Sequence, residues 1–268
     1  MKLKVCLAGG TGWVGSSLAA SISAADDLEL TSAISRTYAG QLLGEVLNLP
    51  IEEVPIYATA AEALEAHAAD VLIDYTQPDI VKANTLTAIN HGTCAVVGTS
   101  GLSVADYEEI HEAAKAKGVG VVAAGNFSIT ATLLQVCATT VAKHIPRWEI
   151  IEYSSAKKPD APNGTSRELA FKLEQIRKPI VDYPLDQTQG HREARGATVS
   201  SNQIHSVRLP SFSSSNEVIF GMDGERLTIT QNAGASAQPY VAGTLLATRH
   251  VKNYQGLVRG LDKVMGLA

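Results

Sequence analysis

The sequence predicts an α/β protein in which a doubly wound parallel sheet is followed by a second α+β domain with a mixed or antiparallel sheet. Short apolar runs alternate with helical runs through the first half of the chain, an order typical of parallel sheets covered by helices. A glycine-rich turn follows the first apolar run. The regular alternation of strand-like and helical runs ends near residue 126. After it, the strand-like runs alternate between apolar and polar residues.

Five buried strands are predicted in the first half, at Leu3–Ala8, Leu28–Ile34, Val71–Tyr75, Cys94–Gly98 and Val119–Ala123. The helical period between them predicts helices at Ser16–Ala25, Ala60–Ala68 and Val104–Lys117. Parallel strands need such crossover connections, and the helices then cover both faces of the sheet.

The second half predicts a different sheet. A helix at Ser128–Ala142 precedes a strand at Trp148–Tyr153, and residues 180–215 are polar and turn-rich. Alternation at Ile204–Leu209, Glu217–Phe220 and Arg226–Gln231 predicts a sheet that is open on one face. The tail, Val241–Arg249 and Gly256–Met265, is predicted to be helical and to pack back on the first domain.

Composition excludes several classes of function. The chain has 268 residues and a formal net charge of −5, with no basic run, which argues against nucleic acid as a partner. No apolar run reaches the length of a membrane span. Three cysteines without C-x-x-C spacing predict reduced thiols, and seven histidines without ligand spacing predict no metal site. With no signal-peptide pattern at the N-terminus, we expect a cytoplasmic protein.

The glycine-rich turn opens the first predicted helix. Its glycines permit a tight turn, close approach of a pyrophosphate to backbone N–H groups, and close packing of the helix on the strand. Such a pattern can be a purely structural turn, but here it has the preceding strand and following helix that a Rossmann-type dinucleotide site requires. We therefore predict that the cofactor contacts Gly9, Gly10, Thr11, Gly12, Trp13 and Val14.

The end of the second predicted strand indicates which nucleotide binds. Folds of this type that prefer NAD usually carry an acidic residue there for the ribose diol. Ser35 and Arg36 stand at this position instead and suit the 2′-phosphate of NADPH. We predict NADPH as the cofactor, with NADH possible; the alternative is that Arg36 is a solvated loop residue.

Two further strand ends are candidates for the cofactor site, because ligands of open α/β sheets bind at the carboxyl ends of strands. Either could also be an ordinary strand-to-helix turn, and residues 74–78 end the third strand in the same way. The candidates are Gly98, Thr99 and Ser100 after the fourth predicted strand, and Gly125, Asn126 and Phe127 after the fifth.

The stretch 149–166 carries a candidate anion site. Lys158 is followed by two prolines that stiffen the loop, and then by Gly164 and Thr165. Thr165 and Glu168 have the spacing of a capping box, which predicts that the next helix starts at Thr165. A helix N-terminus suits a carboxylate or a phosphate. The alternative for Lys158 is a surface lysine, the usual fate of one member of a lysine pair.

Together these segments resemble the dihydrodipicolinate reductase family, the NAD(P)H-dependent enzymes of bacterial lysine biosynthesis. The resemblance runs in order over nearly the whole chain, and its most specific element is the signature from Lys158 through 160–162 to Gly164 and Thr165. The other matching segments are 9–15, 74–78, 98–101, 126–128, 206–210, 217–221 and the tail from 243 to 261.

The resemblance implies a Rossmann domain at 1–126, completed by 237–268, and a domain at 127–236 that binds the substrate and assembles a homotetramer. It implies hydride transfer from the nicotinamide to a ring carbon of an unsaturated, imine-containing dicarboxylate, a small-molecule substrate. Lys158 would donate the proton, and the N–H groups of Gly164 and Thr165 would hold a substrate carboxylate.

Four places depart from the family pattern. Ser154 and Ser155 stand where the family has a His-His pair, and hydroxyls cannot titrate near neutral pH as imidazole can. Trp13 replaces an arginine in the glycine turn, and Asn163 replaces a serine in the loop. Ala237 replaces an arginine near the substrate site. The cofactor half is therefore better retained than the substrate half.

The departures leave three interpretations open. A divergent dihydrodipicolinate reductase would rely on Lys158 with water or a replacement donor, whereas a paralogue would reduce a different imine or enone acid. A non-enzymatic nucleotide-sensing protein is a third alternative, although a sensor would not need a proton donor. We take Lys158 and Ser154 as catalytic candidates and Ser155 as a substrate-binding candidate.

Overall fold

The structure is a computed structural model that describes residues 2–51, 53–210, 212 and 214–267. The chain divides into two compact units, of which the first comprises Met1–Ser128 and Ala237–Leu267 and the second comprises Ile129–Ser236. The first unit is therefore discontinuous in sequence, because the chain leaves it near residue 128 and returns near residue 237.

The described part of the first unit contains the strands β1 Leu3–Ala8, β2 Leu28–Ile34, β3 Ile56–Tyr57, β4 Val71–Asp74, β5 Cys94–Val97, β6 Gly120–Ala123 and β12 Gly256–Arg259. They form one sheet in the order β12-β6-β5-β4-β1-β2-β3, and each neighbouring pair is parallel. Its helices are α1 Trp13–Ser23, α2 Leu43–Leu47, α3 Ala60–Ala66, α4 Val81–Asn90, α5 Val104–Lys117, α8 Gln238–His250 and α9 Leu261–Val264, with a 3₁₀ turn at Val251–Asn253. The predicted doubly wound parallel sheet is confirmed.

The centre of this sheet is apolar because helices cover both faces. β4, β5 and β6 are buried at every residue. The chain builds outward from β1 to β2 and β3, then crosses back to add β4, β5 and β6 on the other side of β1. The carboxyl ends of β1 and β4 therefore border the crevice in which open α/β sheets bind ligands.

The tail prediction is correct for Val241–Arg249, which lies in α8, but wrong for the start of its second segment. The segment 256–265 was expected to be helical, but β12 extends the sheet by pairing with β6, and only the four residues of α9 are helical. A short run with two apolar residues shows neither period clearly, so strand pairing decides its conformation. The 3₁₀ turn before β12 lies close to β6 and needs glycine there, because a Cβ on Gly120 would lie 2.0 Å from the carbonyl oxygen of Val251.

The sequence does not predict β3, α2 or α4. β3 has two residues and α2 has five, so neither is long enough to show a period. α4 buries the polar side chains Asn84 and Thr85 on its inner face, which weakens its apolar pattern.

The described part of the second unit contains the strands β7 Trp148–Ser155, β8 Ala197–Val199, β9 Asn202–Leu209, β10 Ser214–Met222 and β11 Glu225–Gln231. Its helices are α6 Ile129–Ala142 and α7 Gly164–Ile176, with 3₁₀ turns at Leu185–Gln187 and Arg192–Arg195. The strands form a sheet in the order β11-β10-β7-β9-β8. Because β7 and β9 are parallel and the other pairs antiparallel, the sheet is mixed.

A hydrophobic cluster joins α6 and α7 to one face of this sheet, with Leu134 and Ala138 from α6 and Leu169 and Leu173 from α7. Burial along β7 alternates, so that its inward row is Trp148, Ile150, Glu152 and Ser154. A carboxylate and a hydroxyl thus continue an apolar row into the interior.

The helices in the described part of the chain are too short or too polar to cross a membrane. Within the same residues, no group of three or more His, Cys, Asp and Glu side chains is arranged to hold a metal ion. The thiols of Cys6, Cys94 and Cys137 are free, and burial raises the pKa of the Cys6 thiol to about 12.

Candidate active site

The glycine turn after β1 and the first turn of α1 each have one position with no room for a side chain. Gly9 has φ 78°, and a Cβ there would lie 2.2 Å from the carbonyl oxygen of Tyr75. A Cβ on Gly15 would lie 2.0 Å from the carbonyl oxygen of Gly9. The N–H of Gly12 donates to that same oxygen at 2.9 Å and closes the turn. Helix α1 therefore starts close against β1 and β4, with its N-terminus at the crevice.

A cavity of about 240 Å³ lies beside this turn. Its wall includes Ser35 and Arg36 from the end of β2, and Thr76 and Gln77 from the end of β4. Among the described lining residues, Arg36 carries the one charged side chain, and it is exposed. Thr11 Oγ1 donates to Ser35 Oγ at 3.2 Å, which ties the glycine turn to the end of β2. The cavity can therefore accept an anionic group next to Arg36.

Asp74, at the end of β4, organises the neighbouring loops although it is fully buried. Its Oδ1 accepts hydrogen bonds from the N–H and hydroxyl of Thr76 at 3.0 and 2.7 Å, and from the hydroxyl of Thr99 at 2.8 Å. Its Oδ2 accepts from Asn84 Nδ2 at 2.8 Å. The ends of β4 and β5 and the helix α4 thus share one carboxylate, which explains why Thr99 belongs to this edge of the sheet.

Tyr75 fills the space behind these loops. A Cβ on Gly98 would lie 2.3 Å from the Tyr75 ring, and the Tyr75 hydroxyl shares a hydrogen bond with Thr244 Oγ1 at 2.7 Å. The ring of Phe127 lies 6.3 Å away, centroid to centroid. Burial raises the pKa of the Tyr75 hydroxyl well above its ordinary value, so the group stays protonated at neutral pH.

The structure brings Gly9, Thr11, Gly12, Ser35 and Arg36 together at the cavity. The other predicted cofactor residues lie in the same turn or at the ends of β5 and β6, outside the cavity wall. These are Gly10, Trp13, Val14, Gly98, Thr99, Ser100, Gly125, Asn126 and Phe127.

Trp13 is the first residue of α1, and it is 56% exposed. Its ring meets the edge of the Tyr240 ring, with 5.9 Å between centroids. Where the family pattern has an arginine, this chain therefore has an exposed aromatic ring beside the glycines.

The loop after β7 carries Lys158 in the second unit. Its backbone N–H donates to the carbonyl of Ser155 at 2.9 Å, and its ammonium lies 3.8 Å from Asp160 Oδ2. The side chain is 37% exposed. Lys158 is thus held by a local turn while its charged end stays accessible to a ligand.

The helix after this loop starts differently from the prediction. α7 begins at Gly164, and the N-cap is Asn163, whose Oδ1 accepts the N–H of Ser166 at 2.9 Å. The capping box expected from Thr165 and Glu168 is wrong, because Asn163 is the N-cap and both residues lie inside α7, where Glu168 forms an ion pair with Lys172 at 3.2 Å. Asparagine is among the best N-cap residues, which accounts for the earlier start.

A buried polar network lies directly beneath the loop. Glu152 is 0% exposed, and its Oε2 accepts hydrogen bonds from Ser154 Oγ at 3.0 Å and from Asn163 Nδ2 at 2.7 Å. Asn163 Nδ2 also donates to Ser154 Oγ at 2.9 Å. Arg208 Nη2 lies 2.6 Å from Glu152 Oε1 as an ion pair, although the angles fall outside hydrogen-bond geometry. The Ser154 hydroxyl is therefore engaged on both sides.

The same network reaches the loop backbone. Arg208 Nη2 also donates to the carbonyl of Asp160 at 2.5 Å, and Arg167 Nη1 donates to the carbonyl of Pro162 at 2.5 Å. Two of the four residues that separate Lys158 from Asn163 are thus tied to arginines. The prediction from sequence missed Glu152 and Arg208; the available signal was a glutamate in the inward row of an apolar, alternating strand.

The first unit has a parallel sheet with a glycine turn, and the second has an accessible lysine beside a capped helix. This arrangement is typical of a two-domain pyridine-nucleotide-dependent oxidoreductase. Two family models match the chain: "Dihydrodipicolinate reductase, N-terminus" over residues 3–127 and "Dihydrodipicolinate reductase, C-terminus" over residues 128–265. The chain therefore belongs to the dihydrodipicolinate reductase family.

Individual relatives agree with this assignment. A 4-hydroxy-tetrahydrodipicolinate reductase of Bacillus pumilus is 35% identical over 98% of this chain and 98% of its own length. One from Thermosynechococcus vestitus is also 35% identical, over 98% of this chain and 97% of its own length. The dipicolinate-bound dihydrodipicolinate reductase from Paenisporosarcina sp. TG-14 superposes with a TM-score of 0.88 at 27% identity, covering 98% of this chain and 99% of that one. An amine dehydrogenase from Mycobacterium smegmatis, at 14% identity and a TM-score of 0.66 over 96% and 95% of the two chains, shares the fold alone.

Proposed function

We propose that this protein is a 4-hydroxy-tetrahydrodipicolinate reductase that uses NADPH in lysine biosynthesis. The observation that carries the proposal is the loop from Lys158 to Gly164, in which an accessible ammonium, a rigid four-residue link and a capped helix start occur together. The family assignment and the names of the relatives support the reaction class.

The cofactor fits the cradle of the first unit. The turn 9–14 would hold the pyrophosphate, since Gly9 and Gly15 let the turn and α1 pack closely together and α1 points its N-terminus there. Arg36, with Ser35, would hold the 2′-phosphate, which favours NADPH over NADH. When bound, the nicotinamide supplies the hydride, and the residues of this chain bind, orient and protonate.

Lys158 would donate the proton that balances the added hydride. Its ammonium is a mobile donor on a loop that is fixed at Asp160 and Pro162, so the charged end can turn towards a ligand while its backbone stays in place. Its positive charge also attracts a dicarboxylate. A positioned acid of this kind typically contributes about 10²–10⁴-fold to a rate.

The start of α7 would bind a substrate carboxylate through the N–H groups of Gly164 and Thr165, where the helix dipole favours an anion. Ser155, which is half-buried at the end of β7, would add a hydroxyl to the same group. For Ser154 we propose a role in positioning, because its hydroxyl proton is donated to Glu152 and it is fully buried.

A paralogous activity on a different imine or enone acid is the second candidate. It is favoured by Ser154 and Ser155, which are smaller than the histidines of the family pattern. We also propose a cytoplasmic homotetramer, as the resemblance implies; the free thiols suit a reducing compartment.

An NADPH-oxidation assay tests the proposal. The purified protein is given 4-hydroxy-tetrahydrodipicolinate beside a panel of cyclic imino acids and enone acids. Turnover of the first supports the proposed function, and turnover of another substrate alone supports the paralogue. Absence of turnover with every substrate contradicts an enzymatic role.

A further inference from the structure

The buried glutamate beneath the Lys158 loop has no part in the chemistry described above. Glu152 is fully buried on the inward row of β7, yet it keeps polar contacts with Ser154 on the same strand and with Asn163 and Arg208 on two other segments. Burying a carboxylate without partners is costly, so such a group is retained only where its contacts compensate. We propose that Glu152 is a positioning residue that holds Lys158 and the first turn of α7 in one fixed geometry. This inference rests on the proposed function of that loop.

One side of the Glu152 carboxylate controls the helix start. Oε2 accepts the amide of Asn163 at 2.7 Å, and the opposite end of that amide caps α7 by accepting the N–H of Ser166. The Asn163 side chain therefore links the carboxylate directly to the first turn of the helix. Ser166 Oγ continues the link, because it donates to Asn163 Oδ1 at 3.0 Å and lies 2.5 Å from Asn216 Oδ1 on β10.

The other side of the carboxylate controls the loop. Oε1 faces the Arg208 guanidinium at 2.6 Å, and the same Nη2 reaches the carbonyl of Asp160, two residues after Lys158. The Arg208 side chain is 19% exposed, so its interaction with Glu152 is only weakly screened by water. Without the carboxylate, Arg208 would keep hydrogen bonds to the carbonyls of Asp160 and Val207 but would lose the negative charge that neutralises its guanidinium.

Ser154 and Asn163 are matched to each other in this arrangement. The Asn163 amide donates both to Glu152 Oε2 and to Ser154 Oγ, and the Ser154 hydroxyl donates to Glu152 in turn. A serine at 163 could still cap α7, since serine and asparagine are comparable N-caps. It could not reach both acceptors, because it has a single, shorter donor. The Asn163→Ser variant therefore keeps the cap of α7 but cannot form both hydrogen bonds that tether residue 163 to Glu152 and Ser154.

Two variants and a control test the proposal in the full-length protein. Glu152→Gln removes the charge, and Asn163→Ser removes the tether but keeps the cap. Glu149→Gln is the matched control, because Glu149 lies on the same strand and pairs with Arg195 and His205 at 2.7 Å, away from the loop. Each variant is measured for kcat and KM with 4-hydroxy-tetrahydrodipicolinate, Kd for dipicolinate, Kd for NADPH and the thermal midpoint.

We expect kcat/KM to fall about 10²-fold in Glu152→Gln and about 10-fold in Asn163→Ser, since a misplacement near 1 Å can cost that much. KM and the dipicolinate Kd should rise, NADPH binding should stay unchanged, and Glu149→Gln should match the wild type within about twofold. A merely structural role would lower the thermal midpoint and the active fraction without raising KM or the dipicolinate Kd.

The positioning role is overturned if Glu152→Gln and Asn163→Ser both keep the wild-type KM and dipicolinate Kd while Lys158→Ala is inactive. It is also overturned if Glu152→Gln loses only stability and Asn163→Ser behaves as wild type. Full activity of Lys158→Ala is a different result, because it contradicts the proposed function. The dipicolinate affinities of the other two variants would still measure the geometry of the loop.

Discussion

Replacing Gly15 by alanine should disrupt cofactor binding although the new methyl group faces the protein. The Cβ would lie 2.0 Å from the carbonyl oxygen of Gly9 and 2.8 Å from the Cα of Gly10. Both contacts are with backbone atoms, so no flexible side chain can yield. Relieving the closer contact requires the turn and α1 to separate by about 1 Å. A displacement of this size can cost about 10²-fold, and we expect NADPH affinity to fall by about that factor. Overpacking should also lower stability by about 1–3 kcal/mol.

Calorimetric titration with NADPH and a thermal melt measure the two effects. Gly221→Ala is the matched control, because nothing lies within 4 Å of a Cβ at that position. The control should bind NADPH and melt as the wild type does. The reasoning about the turn would be refuted if Gly15→Ala bound NADPH within about twofold of the wild-type affinity.

Two further predictions concern the nucleotide and the response to acid. Arg36→Ala should weaken NADPH binding by about 10–100-fold, since a hydrogen bond to a charged group contributes about 1.5–3 kcal/mol, and it should leave NADH binding unchanged; equal losses for both nucleotides in calorimetry would place the 2′-phosphate elsewhere. The Lys82 ammonium, and then hydrogen bonds from Ser103, hold the pKa of Asp106 below its ordinary value of 3.8. Because this pKa is lower in the folded state than in the unfolded chain, the ionised carboxylate stabilises the folded protein above about pH 3.8. That stabilisation is lost as the pH falls below this value. Asp106→Asn should therefore lower the thermal midpoint near neutral pH, and its difference from the wild type should shrink between about pH 5 and pH 2; a constant difference would contradict this sign.

Elements with both a clear pattern and clear end signals could be predicted from the sequence. The predicted bounds of β1, β2 and α5 agree with the structure. α5 has a capping box from Ser103 to Asp106 and ends at Gly118, which has φ 68°. These signals act within the segment itself, so no tertiary information is needed.

Elements decided by distant contacts could not be predicted. β12 is a strand because it pairs with β6, more than a hundred residues earlier in the chain. The start of α7 depends on Asn163, whose side chain is oriented by Glu152 as well as by the helix. The spacing of Thr165 and Glu168 therefore indicated a cap that the tertiary structure does not use.

The candidate site also has parts that could be predicted from the sequence and parts that could not. The glycine turn and the Lys158 loop are local motifs with required residue types, so their positions could be read from the sequence. The contacts of Glu152 with Arg208 and of Asp74 with Thr99 join residues that are far apart in the chain. Only the fold shows that these carboxylates are buried and what they hold.

The central claim is that Lys158 supplies the proton in a reduction that the nicotinamide begins. The most direct measurement is NADPH oxidation with 4-hydroxy-tetrahydrodipicolinate by the wild type and by Lys158→Ala, with NADPH affinity measured for both. We predict a loss of about 10²–10⁴-fold in kcat for the variant, with NADPH affinity unchanged. Full turnover by Lys158→Ala would contradict the account.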